Sequence, residues 1–414
     1  MITIKRTILA ILILCLATNY ANSQTNFKWG KLFGSQKDEY VLNHLIDLNG
    51  NIYVAGKTTG VIESINFGKN DGFLTKIDSS GNILWARQFG TPGEEDVQWC
   101  AMDNLGGIYL TGSTTGDLAG KNSGKEDIFV MKYDTEGKML WSKQFGTDST
   151  DIARSIYVNK KGGIYITGDT RGKLGKSAAG SNDCFIIKLD TNGNQLFITQ
   201  FGTTKDDSGY CITGGKGSDI LVCGITWGDL SGKNKGFIDS FTGQFTENGE
   251  LVKYNQFGSD GFDIAEVVRM DDENNIYVGG STSGNFGASQ AGEGDCFLLK
   301  LNEKGEIVWN NQFGTSKHDG LRSIFFNPTI SDNMLVSGIM NLPPSNAFIR
   351  MYSKDGKMLW EKQFMGSSGK SVTLDNQGNI YHVGLTANNL FGNLIGQHNY
   401  FVVKFGLDNQ YRKN

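Results

Sequence analysis

Apolar residues along this chain recur with a period of two in short runs, and Gly-containing turns separate the runs. Between residues 146 and 202, Ile152-Ala-Arg-Ser-Ile-Tyr-Val158 alternates and predicts a strand, a. Asn159-Lys-Lys-Gly162 is a turn, and Gly163-Ile-Tyr-Ile-Thr167 predicts strand b. A Gly-rich loop then runs to Asp183. Residues 184–189 predict strand c, Asp190-Thr-Asn-Gly193 a second turn, and residues 195–201 strand d. Short alternating strands joined by Asp/Asn-x-x-Gly turns, in which Gly supplies a positive φ, describe an antiparallel meander.

The same unit recurs along the chain. Its last Phe stands at Phe33, Phe89, Phe145, Phe201, Phe257, Phe313 and Phe364, in five steps of 56 residues and one of 51. A Trp precedes it by four residues at Trp29, Trp85, Trp141, Trp309 and Trp360, with Phe197 and Lys253 in the other two units. A fixed period near 50 marks a propeller or a solenoid. A four-stranded meander cannot bury both its faces alone, and packing successive sheets around an axis solves this. Strands a, b and c occur seven times. The first d strand, residues 27–33, precedes every a strand, and the last unit, ending at residues 401–405, lacks one. The expected fold is therefore all-β: a seven-bladed β-propeller with four antiparallel strands per blade, the N-terminal strand closing the last blade.

Gln-Phe-Gly-Thr, an acid six residues after the Phe, Asn-Ile-Tyr-Val-x-Gly-x-Thr, Asp-x-Phe-x-x-Lys and Asp-x-x-Gly-x-x-x-Trp together resemble the seven-bladed β-propeller repeat of secreted bacterial proteins. The resemblance spans residues 24–414 and implies an extracellular or cell-surface module. The piece from Asp134 to Trp141 also resembles the tryptophan-docking repeat of quinoprotein-like propellers, which the 56-residue period fits less well.

Composition adds location. Residues 1–23 read as a secretory signal: Lys5 and Arg6 open it, residues 8–17 are apolar, and Ala21-Asn22-Ser23 offers a cleavage site. The mature chain, 24–414, is then a single domain with no other run long enough to span a membrane. It is expected to be exported: periplasmic, cell-surface or extracellular. Cleavage moves the net charge from −4 to about −6, and no basic stripe is present, which argues against nucleic acid. Five Cys remain. Cys184 and Cys296 share one position in two units and read as small buried side chains, while Cys211 and Cys223 stand where two strands of one hairpin face each other.

Antiparallel strands put the d–a and b–c connections on one face of the disc. That face carries the long loops, and functional groups concentrate on loops held by a rigid scaffold. Near it stand Glu39, Glu95, Asp151, Asp207, Asp263 and Asp319, six residues after each Phe, with Lys370 in the seventh place. They read either as a ring of oxygen ligands for Ca²⁺ at the mouth of the channel, or as carboxylates accepting backbone N–H bonds in the d–a turns. A second set, Asp71, Asp127, Asp183, Asp239 and Asp295 with Asn346 and Asn399, caps the incoming loop. Trp227 breaks the repeat where other units have Thr59, Thr115, Arg171 and Ser283, and reads as a stacking platform or as filler between blades. Trp99, in strand a, reads as packing. His318-Asp319 is the one suggestive acid–base neighbour pair. No Gly-x-Ser-x-Gly elbow, Walker loop or His-Glu-x-x-His is present. No cofactor beyond Ca²⁺ is implied. The expectation is a non-enzymatic binding module that presents its long-loop face to a protein or glycan, ahead of a carbohydrate-active hydrolase or lyase with its site at the channel mouth.

Overall fold

The computed structural model describes residues 25–412 apart from 177, 218, 327–332 and 342. The expected signal, residues 1–23, lies outside the described residues. Strands are numbered β1 to β28 in chain order and form seven four-stranded antiparallel sheets. Blade 1 is β2 (Glu39–Ile46), β3 (Ile52–Thr58), β4 (Asp71–Ile77) and β5 (Ile83–Phe89). Blades 2 to 6 repeat this order. Their first strands are β6 (Glu95–Met102), β10 (Asp151–Val158), β14 (Asp207–Gly214), β18 (Asp263–Met270) and β22 (Gly320–Phe326). Blade 7 takes β26 (Ser367–Leu374), β27 (Asn379–Thr386) and β28 (Asn399–Leu407) from one end and β1 (Thr25–Phe33) from the other. Thr25 faces Leu407 and Phe33 faces Tyr400. The seven blades and this closure are as the repeat predicts. Among the described residues no helix is long and apolar enough to cross a membrane.

The first strand of each blade is innermost, touching its counterparts on both sides around the axis. The second and third strands are almost wholly buried, and in blades 1 to 5 the outer strand begins with exposed residues. That gradient follows from the geometry: middle strands have a sheet on each face, and the outer strand meets solvent.

Neighbouring blades are also tied by their repeated Trp. The indole nitrogens of Trp29, Trp85, Trp141 and Trp309 donate to the carbonyls of Ser79, Thr135, Thr191 and Lys354, each in the outer turn of the next blade, at 2.9–3.2 Å. Lys253 reaches the Glu303 carbonyl in the same way. Trp360 is the exception. The next blade is blade 7, where β28 and β1 come from opposite ends of the chain and no such turn joins them. Among the described residues the buried Trp360 Nε1 accordingly has no partner.

Both faces of blade 7 meet a buried imidazole where the other seams have aliphatic or thiol side chains: His382 packs against Phe364 of blade 6, and His44 of blade 1 packs against β26. His382 stands at the place of Val54, Leu110, Ile166, Val222, Val278 and Val336. His44 joins β2 to β26 through Ser371 Oγ and, at 2.8 Å, Thr373 Oγ1. Burial lowers His382 to about 4 and, with the charge of His382 added, His44 to about 3.

Two outcomes follow from these contacts. Trp85→Phe should cost about 1 kcal/mol in denaturant melts, the net worth of one hydrogen bond, because Thr135 keeps its bond from Lys76 at 2.8 Å. Trp360→Phe, which removes an unpartnered donor, should cost less. Second, a buried neutral His contributes stability that is present above its unfolded value, near 6.5, and is lost as pH falls toward the folded value. His382→Val should therefore gain on the parent chain by up to about 1.4 kcal/mol per pH unit between pH 6 and 5. Thermal melts of both chains at each pH check this.

Candidate functional site

The acids that follow the first six Phe stand at the start of the innermost strands, five as the opening residue and Asp319 directly before β22, and they are buried. Glu95 accepts the Thr91 N–H at 2.8 Å, the Thr91 hydroxyl at 2.7 Å and the Thr114 hydroxyl at 2.8 Å. Asp263 takes the Ser259 N–H at 2.6 Å and the Thr282 hydroxyl at 2.5 Å. Glu39 is held by Ser35, Thr58 and Asn399, Asp151 by Thr147 and Thr170, and Asp207 by Thr203. Glu39, Glu95, Asp151 and Asp263 thus fasten their d–a turns to the end of strand b, while Asp207 holds its own turn. Burial raises the carboxyls of Glu39, Glu95, Asp151, Asp207 and Asp263 above the usual range, against the pull of these bonds. Among the described residues no group of three or more Asp, Glu, His or Cys is placed to hold a metal ion.

The seventh place is a correction. Ser367, not Lys370, faces Thr386 as Glu39 faces Thr58. The turn after Phe364 is three residues shorter than its counterparts, so counting from the Phe overshoots. The second acid set sits as expected: Asp71 accepts from Phe67 N at 2.8 Å and from Gln88 Nε2 at 2.7 Å, and Asp127 from Ser123 N and Gln144 in the same geometry.

Lys370 belongs to a different ring. Every innermost strand carries a β-bulge at one position, where its pairing with strand b skips a residue. The skipped residues are Leu42, Gln98, Arg154, Tyr210, Glu266, Arg322 and Lys370. A bulge turns its extra residue out of the ladder, and here all seven line one hollow of about 170 Å³, together with Tyr40 and Trp99. Trp99 also packs against the core shared by blades 2 and 3. Arg154 pairs with Asp169 and lies 4.8 Å over the Tyr210 ring, while Arg322 pairs with Glu266. Lys370 Nζ donates to Tyr40 Oη at 3.2 Å and stands 4.7 Å from that ring's centre. The Glu266 charge holds Arg322 above its usual value.

On the long-loop face, one blade junction differs from its neighbours. Between blades 1 and 2, Lys69 pairs with Glu94 at 3.3 Å; between blades 5 and 6, Glu293 pairs with Lys317 at 2.8 Å. Ser181 bonds Asp206 between blades 3 and 4, and His398 pairs with Asp38 at 2.8 Å between blades 7 and 1. Between blades 4 and 5 the positions of Lys69 and Glu94 are taken by Phe237 and Phe262. Their rings stack at 5.0 Å with 11° between planes, and they are 66% and 46% exposed. They edge a hollow of about 260 Å³ with Asp260, Ser283, Asn285 and Gln290. Comparing units at this position would have found the pair in the sequence, since Phe237 breaks the repeat as Trp227 does.

Trp227 is half-buried at the junction of blades 3 and 4, its backbone N–H donating to Asp206 O at 3.0 Å. His318 is exposed at the junction of blades 5 and 6, its carbonyl accepting from Asn341. Asp319 turns inward to accept the Thr315 hydroxyl at 3.1 Å and Asn341 N at 2.7 Å. Adjacent in sequence, His318 and Asp319 do not form an acid–base pair. The five cysteines of the described chain are buried and unbridged. Cys211 and Cys223 face each other across β14 and the next strand as thiols, with Arg269 Nη1 3.4 Å from Cys211 Sγ.

The β-propeller repeat family (SBBP) matches residues 28–63 and 140–175. The regulatory protein FlaEY of Caulobacter vibrioides is 29% identical over 209 residues, which are 46% of this chain and 21% of that protein. The uncharacterized WD repeat-containing protein L264 of Acanthamoeba polyphaga mimivirus is 29% identical over 108 residues, 25% and 7% of the two chains. The chain therefore spans about a fifth or less of the length of the curated relatives it matches. Among solved structures, a polysaccharide lyase of family PL25, an ulvan lyase bound to -[GlcA(1-4)Rha3S]-, superposes with a TM-score of 0.52 over 91% of this chain and 96% of that one, at 13% identity. That likeness is one of fold. The repeat matches and the seven closed blades place this chain among the β-propeller repeat proteins.

Proposed function

We propose that the protein is an exported binding module that takes a saccharide on its long-loop face. The Phe237–Phe262 stack is the observation that carries this reading. Two exposed rings replace the polar pairs of other junctions, so the repeat does not account for them. Aromatic faces receive the C–H face of a sugar ring, and the Asp260, Asn285 and Gln290 side chains beside them supply donors and acceptors for its hydroxyls. Trp227 and His318 stand at the two flanking junctions and would extend the surface along a chain of sugars. The carboxylates buried in the blade corners serve the fold on this reading, and recognition needs no chemistry. A protein partner, and a hydrolase or lyase with its site at the channel mouth, are the competing readings.

Residues 24–414 should bind at least one oligosaccharide of a panel of neutral, uronic-acid and sulfated chains in isothermal titration. The double change Phe237→Ala and Phe262→Ala should weaken it tenfold or more, about 1.4 kcal/mol, without lowering the melting temperature. Unchanged affinity in that variant would sink the proposal. New reducing ends or unsaturated product in the same samples would favour the enzyme.

A further inference from the structure

We propose that the central channel is a binding site for a small oxyanion: sulfate, phosphate or the carboxylate of an acid sugar. The site is separate from the loop-face platform and does not rest on it. Its residues are the ones the bulges turn toward the axis. The residue before each bulge is aliphatic or Gly in every blade (Val, Val, Ala, Gly, Ala, Leu and Gly in turn), as packing between blades requires. The bulged position runs through apolar, amide, aromatic, acidic and basic side chains. A place that the repeat leaves free, yet aims at a shared hollow, is where selection for a ligand can act.

The charge there is lopsided. Arg154, Arg322 and Lys370 line the hollow against the single carboxylate of Glu266. Asp169, beneath Arg154, offsets one more. Among the described residues Lys370 Nζ meets Tyr40 and no carboxylate, although Lys370 is only 9% exposed. A nearly buried ammonium with a phenol as its polar partner is under-compensated. Low-dielectric walls focus such a field and concentrate the opposite charge in the cleft. The hollow of about 170 Å³ is several times the roughly 10–15 Å³ that one water needs, so it has room for one oxyanion with part of its hydration. Arg154 and Arg322 present forked donors suited to oxyanion edges, and Lys370 supplies a point charge.

Trp99 lines the same hollow and reports on it. Sodium sulfate, phosphate and glucuronate would each be titrated into residues 24–414 at low, constant ionic strength, following tryptophan fluorescence with chloride as the reference. A saturable one-to-one response to at least one anion is expected, and its ranking over the three says which source of oxyanion the channel prefers. Lys370→Met should weaken it tenfold or more, Arg322→Gln likewise, and Trp99→Phe should remove the signal while calorimetry still sees binding. Phe237→Ala should leave the affinity unchanged. A response no different from chloride for all three anions would overturn the proposal. So would wild-type affinity in a folded Lys370→Met chain. If either channel variant melts early, the other carries the test.

Discussion

Each blade is a sheet with two apolar faces, and neither face is out of water until a neighbouring blade lies on it. No blade can therefore be stable alone, and an open row would leave two bare faces. Closing the row into a ring removes both, but the ring must then be locked. The lock is the ladder between β1 and β28. The corner carboxylates, the Trp-to-turn bonds and the His44 imidazole are all ways of holding one blade on the next. Their repetition is a consequence of the ring, which is why a repeated acid or Trp says little about what the protein binds.

Much of this was legible in the sequence because repetition multiplies the signal. One alternating run is ambiguous, whereas seven in register, with a d strand displaced to the start, admit few arrangements. Lys370 shows where register reasoning ends. Counting from Phe364 assumes a d–a turn of constant length, and the shortened turn places Ser367 opposite Thr386 instead. The bulges were invisible for a related reason. An extra residue in a strand shifts the alternation by one, and the eye reads the shift as noise in side-chain pattern. Only the skipped pairing reveals that Arg154, Tyr210 and Glu266 look at the axis rather than into a blade.

The candidate binding groups lie where the repeat is broken. Phe237 and Phe262 are 25 residues apart in the chain and meet because the loop before one blade's third strand runs beside the turn into the next blade. Trp227 was found by its departure from its equivalents, and the same test applied at Phe237 finds the second feature. Asp319 teaches the converse. It follows His318 directly, but the strand sends the two side chains to different surroundings, one to solvent and one into the corner. Sequence adjacency was no guide to chemical partnership there.

The lock has a consequence for the order in which the molecule can be made. Thr25 and Leu407 are partners, so nearly the whole chain separates the two halves of the closing contact. Loop-closure entropy grows slowly with such a separation, but a ribosome delivers the halves at different times. β1 emerges first and then waits, an unpaired strand rich in Phe, Trp and Leu, until β28 follows. In that interval six blades can stack while the seventh cannot form. The closing step must wait for β28, and whatever shields β1 until then matters to folding yet has no counterpart in the finished ring.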